Sequence, residues 1–367
     1  GGITPVALKT HPKYRRSPIT TNRVTSSPRN HTSKVADEKS GLERFDKFFR
    51  PGRPYLDSMV FVIIADRNAQ ALAISRGDVQ LSGFSPISLQ EIKRLQENPK
   101  LTVTQSGYQG IGPLYWLEFN MRKAPFSDVR VRQAIAYAID KEFIRTKLHR
   151  GISRQAIGPI AAESPFFEPD QNPYDLDLAK ANKLLDEAGL KPNAQGIRFT
   201  TRMDWTPANR DHYQLVAEYM KPQLQKIGID VQLRPSPDFS TWAQRISNWD
   251  FDMGITAAYN YGDPTIGVAR TYMSTNIRKG VIYSNTEGYV NPKVDELLQA
   301  AAAESDQMQR KALYSEFQKI INKDVPVTFL FEVPITTIYD KKLQNVPLGI
   351  WGVLSPMDAV YWDKTAN

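Results

Sequence analysis

From Phe45 onward the chain alternates short apolar runs with amphipathic stretches of helical period. Met59-Val-Phe-Val-Ile-Ile64 is a β-branched run bounded by polar residues, which predicts a buried strand. The pattern predicts a helix over 69–77, a short strand at 80–81, and a helix over 88–97 opened by a serine cap. Strands are predicted at 101–104 and 114–120. Next, Val131, Ala134, Ile135, Ala138 and Ile139 recur at helical spacing, with the arginines of that segment turned away from the stripe. Pro125 stiffens the approach to this helix, and Ser127 or Asp128 is placed to cap its first turn. A Pro-rich excursion fills 158–174, and a helix over 176–189 begins acidic and stops at a glycine. Beyond it the pattern predicts strands at 198–203, 230–234, 251–257 and 325–331, interleaved with helices over 211–226, 238–247, 292–303 and 307–323. Strands and helices alternating at these lengths define an α/β protein with mostly parallel or mixed sheets.

The first part of the chain breaks this pattern. Residues 9–42 are rich in Ser, Thr, Pro, Arg and Lys with few apolar side chains, too little buried area to offset ordering entropy, so irregular structure is expected over 1–42. At 367 residues the chain is long enough for two domains, and its 41% hydrophobic and 23% charged residues are ordinary for a globular protein. It contains no window of about 18 uninterrupted apolar residues, so no membrane-spanning helix is expected. It opens Gly-Gly-Ile without a basic-then-apolar leader, so a secretion signal is expected to have been removed already or left out. The absence of cysteine excludes disulfides, thiolate metal sites and cysteine nucleophiles, and suits an oxidising compartment. The net charge of +8 is spread along the chain and densest in the N-terminal stretch, which favours a basic exported protein over a nucleic-acid binder.

Catalytic patterns are poor. His11, His31, His149 and His212 are far apart, form no ligand-spacing pair, and read as surface histidines. No nucleophile elbow, phosphate-cradling loop or dinucleotide fingerprint is present. The carboxylate pairs Asp250/Asp252 and Asp175/Asp177 read as caps or solvated turns, and Asn30-His-Thr32 fits a glycosylation acceptor as chance also would. The aromatics say more. Trp116, Trp205, Trp242, Trp249, Tyr259, Tyr261 and Tyr289 fall near strand ends or in loops, where ring faces suit a cleft for an organic solute. Tyr259-Asn-Tyr-Gly-Asp-Pro264 follows a predicted strand directly and ends in a turn signal, and ligands of open α/β sheets bind beyond the carboxyl ends of strands.

Several local wordings appear together in order. Arg53-Pro-Tyr-Leu-Asp57 precedes an apolar strand, and Ser75-Arg-Gly-Asp-Val79 follows a helix. Asn120 to Ala134 reads Asn-Met-Arg-Lys-Ala-Pro-Phe-Ser-Asp-Val-Arg-Val-Arg-Gln-Ala. Gly158-Pro-Ile with Pro165 and Tyr174 leads into Ala179-Lys-Ala-Asn-Lys-Leu-Leu-Asp-Glu-Ala-Gly189. Trp249-Asp-Phe-Asp-Met-Gly254 is followed by Gly262-Asp-Pro264. Together these resemble the peptide/nickel/opine solute-binding proteins of ABC importers, family 5. The resemblance implies a periplasmic-binding-protein type II fold, α/β lobes with mixed sheets in a venus-flytrap arrangement that captures a small organic solute between them and delivers it to a membrane permease. It implies no enzyme, no cofactor and no metal, a monomer without nucleic-acid partners, and a periplasmic or lipid-tethered location.

On that resemblance, residues 43–110 are a remnant of lobe one, 111–342 form lobe two, and 343–367 return to lobe one. Residues 9–42 do not resemble the family's corresponding segment, so the first lobe is expected to be incomplete. Implied ligand contacts are Tyr259, Asn260, Tyr261 and Asp263, with Trp205, Trp242 and Arg245 beside them. Asn260 stands where peptide-binding relatives place an aspartate for the ligand's ammonium group. An amide lacks the charge that makes that contact strong, which shifts expectation from free-amino peptides toward sugars and opine-like solutes. Arg245 is placed to meet a ligand carboxylate or, alternatively, to be a solvated helix-face arginine.

Overall fold

The computed structural model describes residues 29–35, 39–84 and 87–363. They divide into two units: one takes the chain up to Tyr108 and again from Pro334, and the other is Gln109–Val333. Strands β1 (Arg29–Val35), β2 (Lys39–Arg44) and β3 (Ser58–Val62) form an antiparallel sheet in that order. The expectation of irregular structure through residue 42 is corrected at β1 and β2. Every backbone residue carries ladder groups whatever its side chain, and a polar segment pairs once a neighbouring edge offers partners. Residues 1–28 and 36–38 of that stretch lie outside the described residues.

Helix α1 (Arg67–Arg76) starts where the Asp66 carboxylate accepts the Ala69 N–H at 2.7 Å, and it stops at Gly77, whose φ of 80° suits a left-handed cap. After β4 (Leu81–Ser82), helix α2 (Leu89–Gln96) is preceded by Ser88 in extended conformation, although the serine side chain makes no capping bond. Strand β5 (Leu101–Thr104) completes this part of the first unit.

The second unit begins with β6 (Pro113–Phe119) and α3 (Val129–Ala138). Asp128, not Ser127, caps α3 by accepting the Arg130 N–H at 2.9 Å. Val131, Ala134, Ile135 and Ala138 are buried as their spacing predicts. Arg132 is not turned away. It is buried and donates to the carbonyls of Phe126, Asp324 and Val325, because its fork of donors offers the free carbonyls at a helix end what they need. The chain continues through α4 (Lys141–Phe143), β7 (Arg154–Gln155), α5 (Leu178–Glu187) and β8 (Phe199–Trp205). Then come α6 (Gln214–Gln225), β9 (Ile229–Leu233), α7 (Phe239–Ser247) and β10 (Met253–Tyr259). Two short helices, α8 (Pro264–Gly267) and α9 (Ala269–Tyr272), precede α10 (Pro292–Ala303), α11 (Gln307–Asp324) and β11 (Val327–Glu332).

These strands form one mixed sheet in the order β7-β11-β6-β10-β8-β9. Leu297, Leu298, Tyr314, Phe317 and Ile321 of α10 and α11 pack on Trp116 and Phe329. Each such side chain contributes roughly 1.5–3 kcal/mol by leaving water. In the first unit, β12 (Thr337–Asp340) lies between β4 and β5, and β13 (Leu343–Gln344) pairs with β14 (Tyr361–Trp362). The return to the first unit therefore starts at Pro334, ahead of the expected 343, because β12 already belongs to that unit's sheet.

Two of the four histidines are not at the surface. His149 and His212 are buried and lie edge to face with ring centroids 5.4 Å apart. A neutral imidazole packs like an aromatic ring and still satisfies two hydrogen bonds. His11 and the His31 side chain lie outside the described residues.

Candidate functional site

The mixed sheet has one topological switch point. Strand β8 connects outward through α6 to β9, and β9 returns through α7 to β10 on the other side of β8. Strands β8 and β10 run parallel, with Ile255 opposite Trp205, so their carboxyl ends open side by side. The start of β6 reaches the same edge, where Pro113 pairs with Tyr259. This is where open α/β sheets take ligands.

The loop leaving β10 is held by its own polar groups. The Asn260 and Tyr261 N–H groups donate to the carbonyls of Gly112 and Ile111, each at 3.1 Å. The Asn260 side chain turns inward: its oxygen accepts the Ala161 N–H at 2.6 Å and its amide donates to the Pro159 carbonyl at 3.3 Å. Next to it, the buried Glu332 carboxylate accepts the Ala162 N–H at 2.9 Å and pairs with Arg154. Two successive N–H groups of the Pro-rich loop are thereby fixed to the sheet edge. Asp263 caps α8 through the Thr265 N–H at 2.9 Å and takes both arms of Arg310 at 3.0 and 2.9 Å. The Asp263 carboxyl lies below its usual range: burial opposes this, but Arg310 and the cap outweigh it. At Gly267 a Cβ would come within 2.3 Å of the Tyr259 carbonyl oxygen, so only glycine lets α8 close onto the strand end.

With the polar side chains turned inward, the tyrosines are presented outward. Tyr261 is 36% exposed with a φ of 53°, and its ring lies 5.8 Å from that of half-buried Tyr259. Tyr283, 38% exposed and also left-handed at φ 54°, stands 6.0 Å from the Trp242 ring. Beside this face a pocket of about 480 Å³ opens at the ends of β8 and β9, lined by Trp205, Tyr213, Arg210, Gln214, Leu233 and Ser236.

The expected site residues therefore separate. Tyr259 and Tyr261 come together on an open face, and Trp205 lines the pocket. Asn260 and Asp263 are drawn into internal bonds, because a buried amide or carboxylate goes to the nearest unsatisfied donor. Trp242 is fully buried against Ile246 and Phe251. Arg245 is neither free nor simply solvated. It donates to Ser236 Oγ at 3.2 Å and lies 3.6 Å from buried Asp204, which Arg234 also pairs at 2.9 Å. Burial pushes the Asp204 carboxyl upward against the pull of these arginines. Trp116 and Tyr289, also candidates, are buried, and Tyr289 donates to Asp324 at 2.6 Å. Asp177 caps α5 as expected of a turn carboxylate, whereas Asp252 is held by Lys123 and Arg202. Tyr213, Tyr283 and the Pro159–Ala161 contact were not foreseen, because nothing local to those residues announces what they meet. Among the described residues no cluster of three or more His, Cys, Asp or Glu is arranged to hold a metal ion, and no helix is long and apolar enough to cross a membrane.

Comparison with known proteins places the chain. Residues 8–279 match the bacterial extracellular solute-binding proteins, family 5 middle, and the chain belongs to that family. It is 29% identical over 305 residues to the glutathione-binding protein GsiB of Pectobacterium atrosepticum, covering 82% of this chain and 57% of that protein. Among solved structures, the periplasmic binding protein DppA of Helicobacter pylori in complex with the peptide STSA superposes with a TM-score of 0.76 at 25% identity. That match covers 92% of this chain and 63% of the other. The oligopeptide-binding protein AppA of Bacillus subtilis, in complex with a nonapeptide, shares the fold at a TM-score of 0.75 and 24% identity, covering 92% and 66%. The fold is accordingly the α/β type II periplasmic-binding-protein fold. The chain spans less than two thirds of the length of each of these relatives. The family match includes all of residues 9–42, which corrects the expectation that this stretch is unlike the family.

Proposed function

We propose that this chain is the solute-capturing component of an ABC importer, acting outside the cytoplasm and handing a small organic solute to a membrane permease. Peptide-like solutes are the leading class, since the relatives named above bind glutathione and peptides. One observation carries the assignment of the face. At the switch point of the sheet, Tyr259 and Tyr261 are offered outward by a loop whose polar side chains are all spent on holding it. Tyr259, Tyr261 and Trp205 meet the solute by ring stacking and apolar contact, while Asn260, Asp263, Trp242 and Arg245 act behind them as supports. The chain works by binding and not by catalysis, as its relatives do.

The test is a thermal-shift screen of the full chain against glutathione, a tetrapeptide, oligosaccharides, opines and a nickel–histidine complex. The expected result is a melting temperature that rises with the logarithm of peptide or glutathione concentration. The concentration needed should increase about tenfold or more in Tyr261→Ala, the loss expected when one well-packed aromatic contact is removed. A cooperatively melting protein that no solute shifts overturns the reading. A shift by sugars or opines alone moves the solute class, in line with the uncharged Asn260.

A further inference from the structure

Arg270, on α9, is a cation without a counter-charge among the described residues, at the edge of the tyrosine face. Other arginines of the second unit are engaged: Arg310 holds Asp263, Arg234 and Arg245 hold Asp204, and Arg154 holds Glu332. Arg150 and Arg210 lie open to solvent, which satisfies them. Arg270 differs from both groups. Its Nε is out of contact with solvent and has no acceptor among the described residues, while its guanidinium lies over the Tyr283 ring at 5.7 Å. A buried donor without an acceptor is unfavourable, and a charged one more so. The stack uses the flat side of the guanidinium and leaves its two terminal nitrogens, neither bonded nor buried among the described residues, available for an end-on contact.

The surroundings say what would meet that edge. Tyr283 stands within electrostatic reach of Tyr259, Tyr261, Arg270 and Glu118. The carboxylate of this loop, Asp263, is already spent on Arg310, and Glu118 is fully buried beneath Thr286. The face thus presents three tyrosines and one unneutralised cation. We propose that Arg270 is the anion subsite of this face and takes a carboxylate of the bound solute in a two-point contact, with the planar or apolar part of the solute lying on Tyr283 and Tyr261. The proposal rests on the solute-binding reading for the role of the face. It also accounts for the uncharged Asn260: the fixed charge on this face is positive, so the solute group that selects it is an anion and not an ammonium group.

The test uses the full chain with nitrogen-15-labelled arginine side chains and two probes of equal shape, phenylacetate and phenylacetamide. The Arg270 Nε–H signal is identified by its loss in Arg270→Lys or, should that variant not fold, in Arg270→Gln. The expected result is a saturable shift of this signal with phenylacetate and none with phenylacetamide. A signal that stays in place with phenylacetate, or moves equally with the amide, overturns the subsite. In a second arm, glutathione is added to the wild type and to Arg270→Lys, which should melt together without ligand. The variant should need about tenfold more glutathione or higher for the same shift in melting temperature. An undiminished shift in the variant overturns the role of Arg270 and leaves solute binding standing. Phenylacetate shifting Arg270 while no solute stabilises the protein overturns the solute-binding reading and leaves the anion site standing.

Discussion

The side-chain oxygen of Asn260 accepts the backbone N–H of Ala161 at 2.6 Å, across 99 residues of sequence. With its amide donating to Pro159, Asn260 uses both polar ends to hold the Pro-rich loop against the end of β10. The residue in this position acts on the shape of the face before it acts on any solute.

Asn260→Asp is therefore expected to weaken the second unit and not to create an ammonium site. The carboxylate would still accept from Ala161, but it would set an oxygen against the Pro159 carbonyl in a buried place. A lost donor and a buried charge without a cation cost roughly 1–3 kcal/mol or more. Urea unfolding of wild type and variant at pH 7 measures this. Equal midpoints would show that the amide donor does not matter.

His149 gives the second unit an acid limb. Its Nε2 donates to the Asp211 carbonyl at 3.2 Å, and Nδ1 accepts from Ser153 Oγ at 2.9 Å. Burial pushes its pKa from 6.5 down to about 4. The folded protein prefers the neutral ring, so this contribution is present above pH 6.5 and is lost as the pH falls toward 4. The slope is about 1.4 kcal/mol per pH unit. Urea midpoints taken between pH 7 and 4 should fall more steeply in the wild type than in His149→Gln. Parallel curves would remove His149 as the cause.

Glu118 and Glu287 give the opposite limb. Both are buried, and Glu118 accepts the Thr286 hydroxyl at 2.9 Å. Three of their four carboxyl oxygens have no hydrogen-bond partner among the described residues. Burial is the main cause that pushes both carboxyls up, and each raises the other or is raised by a nearby carboxylate: Glu118 acts on Glu287, and Asp204 acts on Glu118. Arg122 opposes the rise at Glu287 only weakly. The folded state therefore holds protons here that the unfolded chain releases above an ordinary value of 4.5. Their contribution is complete below that value and is lost as the pH rises through the raised native values. Glu287→Gln should lose less stability than the wild type between pH 6 and 9. A wild-type midpoint that does not decline over that range would argue against protonated carboxyls.

The sequence by itself determined the order of elements and the class of fold. β-branched runs and apolar stripes of helical period depend only on neighbours a few residues away, and so do caps such as Asp66 and Asp128. The ordered motifs carried the family, and the turn signal after β10 placed the candidate loop. Tertiary structure decided what each side chain of that loop does. Asn260 meets Ala161, Asp263 meets Arg310 47 residues on, and Arg245 is claimed by Asp204 and Ser236. Arg132 and His149 turned inward for the same reason: their partners, the end of α11 and the Asp211 carbonyl, come from distant segments. Local pattern sets which backbone conformation is cheap. Whether a polar side chain faces solvent or is consumed depends on which unsatisfied group the fold brings within hydrogen-bonding reach, and no short window of sequence contains that partner.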